Sequence, residues 1–106
     1  MHDLTGFQRD LLYVIAGLDK PHGLKIKERL EDYYDVEINH GRLYPNLDSL
    51  VAKSLVEKGE QDRRTNYYTL TRRGMRELEA RRDWENDYLA GVLDLDSTGE
   101  TNEATA

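Results

Sequence analysis

The 106 residues amount to one domain, enough for a modest core and too few for two. With 38% hydrophobic and 34% charged residues, and no apolar run near the roughly 18 residues a bilayer span needs, the sequence excludes a membrane-spanning helix and reads as cytoplasmic. The lack of cysteine excludes disulfides, thiolate-held metals and thiol redox chemistry, and the net charge of −6 argues against nucleic acid until its distribution is considered.

In chain order, residues 5–8, Thr-Gly-Phe-Gln, have the form of a capping box and open a helix of about 14 residues. Phe7, Leu11, Val14, Ile15 and Leu18 fall on one side of it. Residues 19–23, Asp-Lys-Pro-His-Gly, break the pattern. A second helix is expected from about Leu24 to Tyr34 with Ile26, Leu30 and Tyr33 as its buried stripe, followed by a small strand over 36–38. A third starts near His40 or Gly41, turns Leu43, Leu47, Leu50 and Val51 inward, and takes Pro45 into its first turn. Segments 55–59 and 66–70 pair as a hairpin around a polar tip carrying Arg63 and Arg64. Thr71 caps a fourth helix, which runs to roughly Gly91. From Asp94 onward the chain is nearly devoid of apolar side chains and reads as a disordered acidic tail.

The fold class expected is mainly α with a small β-hairpin (α+β): a winged helix-turn-helix over 1–74, a dimerisation helix over 75–93 and a tail over 94–106. On the fourth helix Met75 and Leu78 share one face, while Trp84 lies about 240° further round and is continued by Tyr88 and Val92. A stripe that changes sides points to a second subunit, with Leu78, Trp84, Tyr88, Leu89 and Val92 as the interface. The competing arrangement folds Trp84 back on its own domain.

Charge is unevenly spread. Residues 1–74 hold 12 Lys+Arg and 12 Asp+Glu, so the acidity lies entirely in residues 75–106. Between Asn39 and Arg73 the balance is positive. A helix able to enter the major groove, followed by a basic hairpin, is the layout of a winged helix on double-stranded DNA. Opposite the leucines of the third helix lie Gly41, Arg42, Pro45, Ser49, Ala52 and Lys53, flanked by Tyr44 and Asn46. Arg42 suits a guanine edge, Asn46 an adenine, and Tyr44 and Ser49 a phosphate. Asn39 and His40 sit at the helix start near the backbone. Arg63 and Arg64 suit phosphate or a narrow minor groove. Lys25, Lys27 and Lys53 are candidate backbone clamps. Each pattern is also that of a solvated face; the hairpin following the helix favours DNA. His2, His22 and His40 are widely separated without ligand spacing, so no metal or other cofactor is expected, and no catalytic motif occurs.

Residues 40–50, His-Gly-Arg-Leu-Tyr-Pro-Asn-Leu-Asp-Ser-Leu, with 54–57, Ser-Leu-Val-Glu, and 63–74, Arg-Arg-Thr-Asn-Tyr-Tyr-Thr-Leu-Thr-Arg-Arg-Gly, resemble the PadR family of winged-helix transcriptional regulators. Within it the sequence is most similar to small haloarchaeal regulators of the RosR type, linked to oxidative-stress gene control, and ten arginines beside five lysines suit a salt-rich cytoplasm. The resemblance implies a homodimeric DNA-binding regulator with the third helix in the major groove and the last helix in the dimer interface. By position it assigns Tyr44 as the family's helix-three tyrosine, and Arg63 and Arg64 as wing arginines. Ser54 stands where the family often has glycine. The region after the fourth helix is short, so the larger effector domain of some relatives is absent and the effector is unknown. An oxidant response without cysteine would have to use Met1, Met75, Trp84 or a partner. The function expected is regulation of transcription at a pseudo-palindromic operator; a winged-helix module that binds protein instead of DNA is the alternative.

Overall fold

The structure, a computed structural model, describes residues 1–62 and 64–99, with 94–99 described by backbone alone. Arg63 and the last part of the expected tail, 100–106, lie outside the described residues. The element order is α1 (Gly6–Gly17), α2 (Gly23–Tyr34), α3 (His40–Ala52), β1 (Val56–Glu60), β2 (Asn66–Leu70) and α4 (Arg72–Gly99). This is the four-helix, one-hairpin arrangement of a winged helix.

The capping box at α1 forms in full: Gln8 N donates to Thr5 Oγ1 at 3.1 Å, and Thr5 N donates to Gln8 Oε1 at 3.2 Å. Two orphan donors at the helix start are thereby satisfied. Phe7, Leu11 and Ile15 are buried as their spacing requires, joined by Leu12, whereas Val14 and Leu18 are only half-buried. On α2, Ile26 and Leu30 are buried but Tyr33 is 78% exposed. Its place is taken by Tyr34, whose hydroxyl donates to Asp10 Oδ2 at 2.5 Å and so brings a satisfied polar tip to the α1–α2 contact.

The strand expected over 36–38 does not form. Asp35 takes a left-handed conformation (φ 59°) that ends α2, and Ile38 turns into the core as an irregular residue. Glu31 holds this corner, accepting from Ile38 N at 2.8 Å and Lys27 Nζ at 2.7 Å. Those contacts, the Ile38 N–H foremost, keep the Glu31 carboxyl below its usual pKa.

α3 opens at His40 on an Asn39 cap, with Arg42 N donating to Asn39 Oδ1 at 2.8 Å. Pro45 is therefore the sixth helical residue and lies beyond the first turn where it was expected. Lacking an N–H, it leaves the Gly41 carbonyl without its helical donor. Leu43, Leu47 and Leu50 are fully buried. The chain leaves α3 through Ser54 in the left-handed region (φ 63°), which explains why glycine suits this position: a side chain there costs about 1–2 kcal/mol.

β1 and β2 pair antiparallel, Val56 opposite Leu70 through Glu60 opposite Asn66. A bridge between His22 and Tyr67, and a 3.0 Å bond from Tyr68 N to Pro21 O, bind the start of α2 to the outer edge of β2. Thr71 caps α4 by accepting from Gly74 N at 2.9 Å, and its hydroxyl donates to Ser54 O at 2.7 Å. Met75 is more than half exposed and Leu78 half-buried, so the first face of α4 is shallower than its spacing implied. The helix also passes the expected end near Gly91 and runs to Gly99, making 94–99 helical. At 28 residues it is about 42 Å long. No helix among the described residues is long and apolar enough to cross a membrane.

Candidate nucleic-acid interface

Burying Leu43, Leu47 and Leu50 turns the opposite side of α3 to solvent. Gly41, Arg42, Pro45, Asp48 and Ala52 are exposed there, with Ser49 half-buried beside them. Short side chains along this face let a groove floor approach the backbone, and the hairpin stands beside the helix as a wing. Lys58 on β1 reaches Asp48 across the gap at 3.6 Å.

Arg42 projects from the first turn of α3 with its guanidinium 4.0 Å from the centre of the Phe7 ring. This pose gives a delocalised cation an aromatic rest and leaves its N–H fork usable. Asn46 is less free than its position implies. Its Oδ1 accepts from Gln8 Nε2 at 2.9 Å, and its Nδ2 donates to the Arg42 carbonyl at 2.7 Å. Ser49 donates to Pro45 O at 3.1 Å. Tyr44 leans toward α2, stacked edge-on against His40 with ring centres 5.7 Å apart. Its ring closes on Gly23, where a Cβ would lie 2.7 Å from the phenol, so Gly23 is what admits the tyrosine. Together His22, Gly23, Leu24, Tyr44, Arg64, Thr65 and Asn66 line an open cleft between the start of α2 and the wing. Asn39 and His40 line a second depression with Lys27 and Ile38.

The wing tip is organised by Asp62, whose Oδ1 accepts from Arg64 N and Thr65 N, both at 2.9 Å. His22 Nε2 donates to Gln61 Oε1 at 2.6 Å, tying the tip to α2. The Arg64 N–H, and then Thr65, hold the Asp62 carboxyl below the usual aspartate value of 3.8. The sign follows: a depressed folded pKa gives order that is complete above the usual value and is lost as pH falls through the lower, folded one. The Arg64 and Thr65 amide resonances should move together in an acid transition with a midpoint below 3.8. A midpoint at or above 3.8 would remove Asp62 as the organiser.

Every candidate lysine has an acidic neighbour: Lys25 with Glu28 at 3.5 Å, Lys27 with Glu31 at 2.7 Å, and Lys53 with Asp3 at 3.2 Å. The Lys25 and Lys53 pairs are solvent-exposed, where such pairs are weak and a phosphate can exchange for the carboxylate, while the Lys27 pair is more enclosed, at 18% and 24% side-chain exposure. Among the described residues Arg42 and Arg64 have no carboxylate partner within 4 Å. Gln8, which the sequence marked only as a capping residue, and Gly23, Asp48 and Asp62, which it did not single out, also bear on this surface. Asp62 had a local signal, a carboxylate two residues before a turn donor; Gln8 had none, since its contact spans 38 residues.

Away from this surface, Trp84, Tyr88, Leu89, Val92 and Leu93 on α4 are each about half exposed or more. Trp84 and Tyr88 lie tilted against each other with ring centres 5.2 Å apart, and the Arg81 guanidinium lies 4.5 Å from the indole centre. No group of three or more His, Cys, Asp or Glu among the described residues could hold a metal ion.

Residues 11–80 match the Transcriptional regulator PadR-like family. Among solved structures, the chain is similar to Halobacterium salinarum RosR at 47% identity and a TM-score of 0.83, over 93% of this chain and 89% of that one. RosR in a complex structure, RosR-S1, gives the same identity and TM-score over 94% and 88%. Streptococcus pneumoniae FabT in complex with DNA shares the fold at 19% identity and a TM-score of 0.70, over 94% of this chain and 73% of that one. No curated protein matches the sequence. The matching family is one of transcriptional regulators.

Proposed function

Since the chain belongs to the PadR-like family of transcriptional regulators, we propose that it works as a cytoplasmic homodimer that recognises a pseudo-palindromic operator in double-stranded DNA. The observation that carries the proposal is the solvent-facing side of α3, small and polar, with Arg42 at one end and the Arg64-bearing wing beside it. In this reading Arg42 and Asn46 meet base edges, while Tyr44, Ser49, Asn39 and His40 meet the backbone. Arg63 and Arg64 hold flanking phosphates or the minor groove, and Lys25, Lys27 and Lys53 add phosphate contacts once released from their carboxylates. The stripe of Leu78, Trp84, Tyr88, Leu89 and Val92 supplies the dimer contact, because half-exposed aromatics on one helix bury well against a second copy. The similarity to RosR supports a salt-rich, archaeal setting, while a stress-linked role rests on the sequence resemblance alone. Met75 and Trp84, two of the side chains an oxidant could reach, are each about half exposed.

Hydroxyl-radical footprinting on the protein's own promoter tests this directly. Two protected half-sites one helical turn, about 10 base pairs, or a multiple of it apart are expected. Absence of protection from low to molar potassium chloride would favour the competing reading, a protein-binding winged helix. The pairing of the candidate lysines with acids is the observation on that side.

A further inference from the structure

Three hydrogen bonds join four groups, from the α1 cap, α1 and α3, into one continuous chain. Thr5 N donates to Gln8 Oε1, Gln8 Nε2 donates to Asn46 Oδ1 at 2.9 Å, and Asn46 Nδ2 donates to Arg42 O at 2.7 Å. Amide oxygen and nitrogen are usually assigned from their surroundings. Here the two ends are backbone groups of fixed polarity, an N–H that only donates and a carbonyl that only accepts. Each amide between them therefore has one permitted orientation, and neither can turn over without facing like against like. An Asn amide on a helix surface is otherwise a free two-way reader, able to offer donor and acceptor in either order.

We propose that Gln8 on α1 is a positioning residue for base recognition: through the Thr5–Gln8–Asn46–Arg42 chain it fixes the amide of Asn46 and sets an N–H of its own beside it. This inference rests on the DNA reading above and deepens it. The capping-box oxygen of Gln8 faces the α1 backbone, so the nitrogen end faces Asn46 and retains a second N–H. Asn46 likewise keeps one N–H after bonding Arg42 O. Two adjacent N–H groups match a base edge rich in acceptors, guanine O6 and N7 or thymine O4. The expectation drawn from Asn46 alone, an adenine, changes accordingly.

Gln8→Glu separates positioning from folding. Glutamate is as good a capping-box residue as glutamine, so the α1 cap and thermal stability should persist. A carboxylate cannot donate, however, and would face Asn46 Oδ1 with like charge density. Wild type, Gln8→Glu, Asn46→Ala and the double variant are each put through selection on a randomised duplex library, followed by titration of the enriched duplex and its single-base variants. Asn46→Ala should lose preference at one base pair. Gln8→Glu should lose about tenfold at that same pair, with the others unchanged and the melting temperature held, and the double variant should lose less than the two single losses combined. Loss at a different pair, equal weakening on all duplexes, additivity in the double variant or unchanged preference overturns the assignment. Wild type that enriches no sequence would instead overturn the DNA reading on which it stands.

Discussion

Glutamate at both Trp84 and Tyr88 is expected to convert the protein to a monomer and to lower its operator affinity about 100-fold or more. The two rings lie tilted against each other with centres 5.2 Å apart on a stretch of α4 that leaves them 51% and 69% exposed, so their packing surface is largely unused within one chain. Each aromatic can bury roughly 150–250 Å² against a partner, and a carboxylate in its place would have to be desolvated without a counter-ion. The loss in DNA affinity follows from linkage. A dimer places its second reading head at an effective concentration set by the first, and a monomer forfeits that advantage. Sedimentation equilibrium reads the assembly and anisotropy reads the binding. A doubly substituted protein that still sediments as a dimer would move the interface elsewhere on the chain. Because neither ring belongs to the buried core, the far-ultraviolet spectrum should be unchanged.

Gly74→Ala should cost about 2–3 kcal/mol of folding stability, because its added methyl meets backbone. Gly74 lies buried in the first turn of α4, where a Cβ would fall on the Leu55 carbonyl oxygen and within 2.7 Å of a Leu70 methyl. The obstacle is backbone and cannot rotate away. That carbonyl already accepts the Thr71 N–H at 3.1 Å, so displacing it disturbs the join between helix, strand and wing. Urea denaturation gives the number; a loss below about 0.5 kcal/mol would show that α4 can slide to accommodate the methyl.

Elements whose signals are local were legible in the sequence. The Thr5 capping box, the α3 leucines at 43, 47 and 50, the hairpin and the Thr71 cap each depend on residues within a turn or two, and each forms. The differences arise where a distant partner decides. Tyr33 and Tyr34 are equivalent by composition, and Asp10 on another helix selects which of them turns inward. Residues 36–38 alternate like a strand, but the left-handed Asp35 and the side chain of Glu31 leave the segment nothing to pair with. The edge of β2 bonds instead to Pro21 and bridges to His22. Composition also misled at the end of α4. Residues 94–99 are poor helix formers, yet no proline removes a donor, and extending an existing helix adds one bond per residue ordered.

The candidate site divides along the same line. Helical periodicity sufficed to place Arg42, Asn46 and Ser49 away from the leucines, because one turn of helix determines it. What those side chains touch was not legible. Asn46 is held by Gln8 from α1, Arg42 rests on Phe7, and the lysines are paired with acids up to 50 residues away in sequence. Charge balance along the chain located a basic region; only the fold reveals that its lysines are paired and its described arginines are not.

Fluorescence anisotropy of wild type, Arg42→Ala and Arg63→Ala/Arg64→Ala tests the central claim most directly, on promoter and scrambled duplexes from low to molar potassium chloride. Wild type should prefer the promoter. Arg42→Ala should lose about 1–3 kcal/mol of preference at one position, whereas the wing variant should weaken both duplexes alike. The wing variant should also flatten the dependence of log affinity on log salt by about 0.9 for each phosphate contact removed. Wild type that binds neither duplex at any salt would contradict the account and leave the winged helix as a surface for another protein.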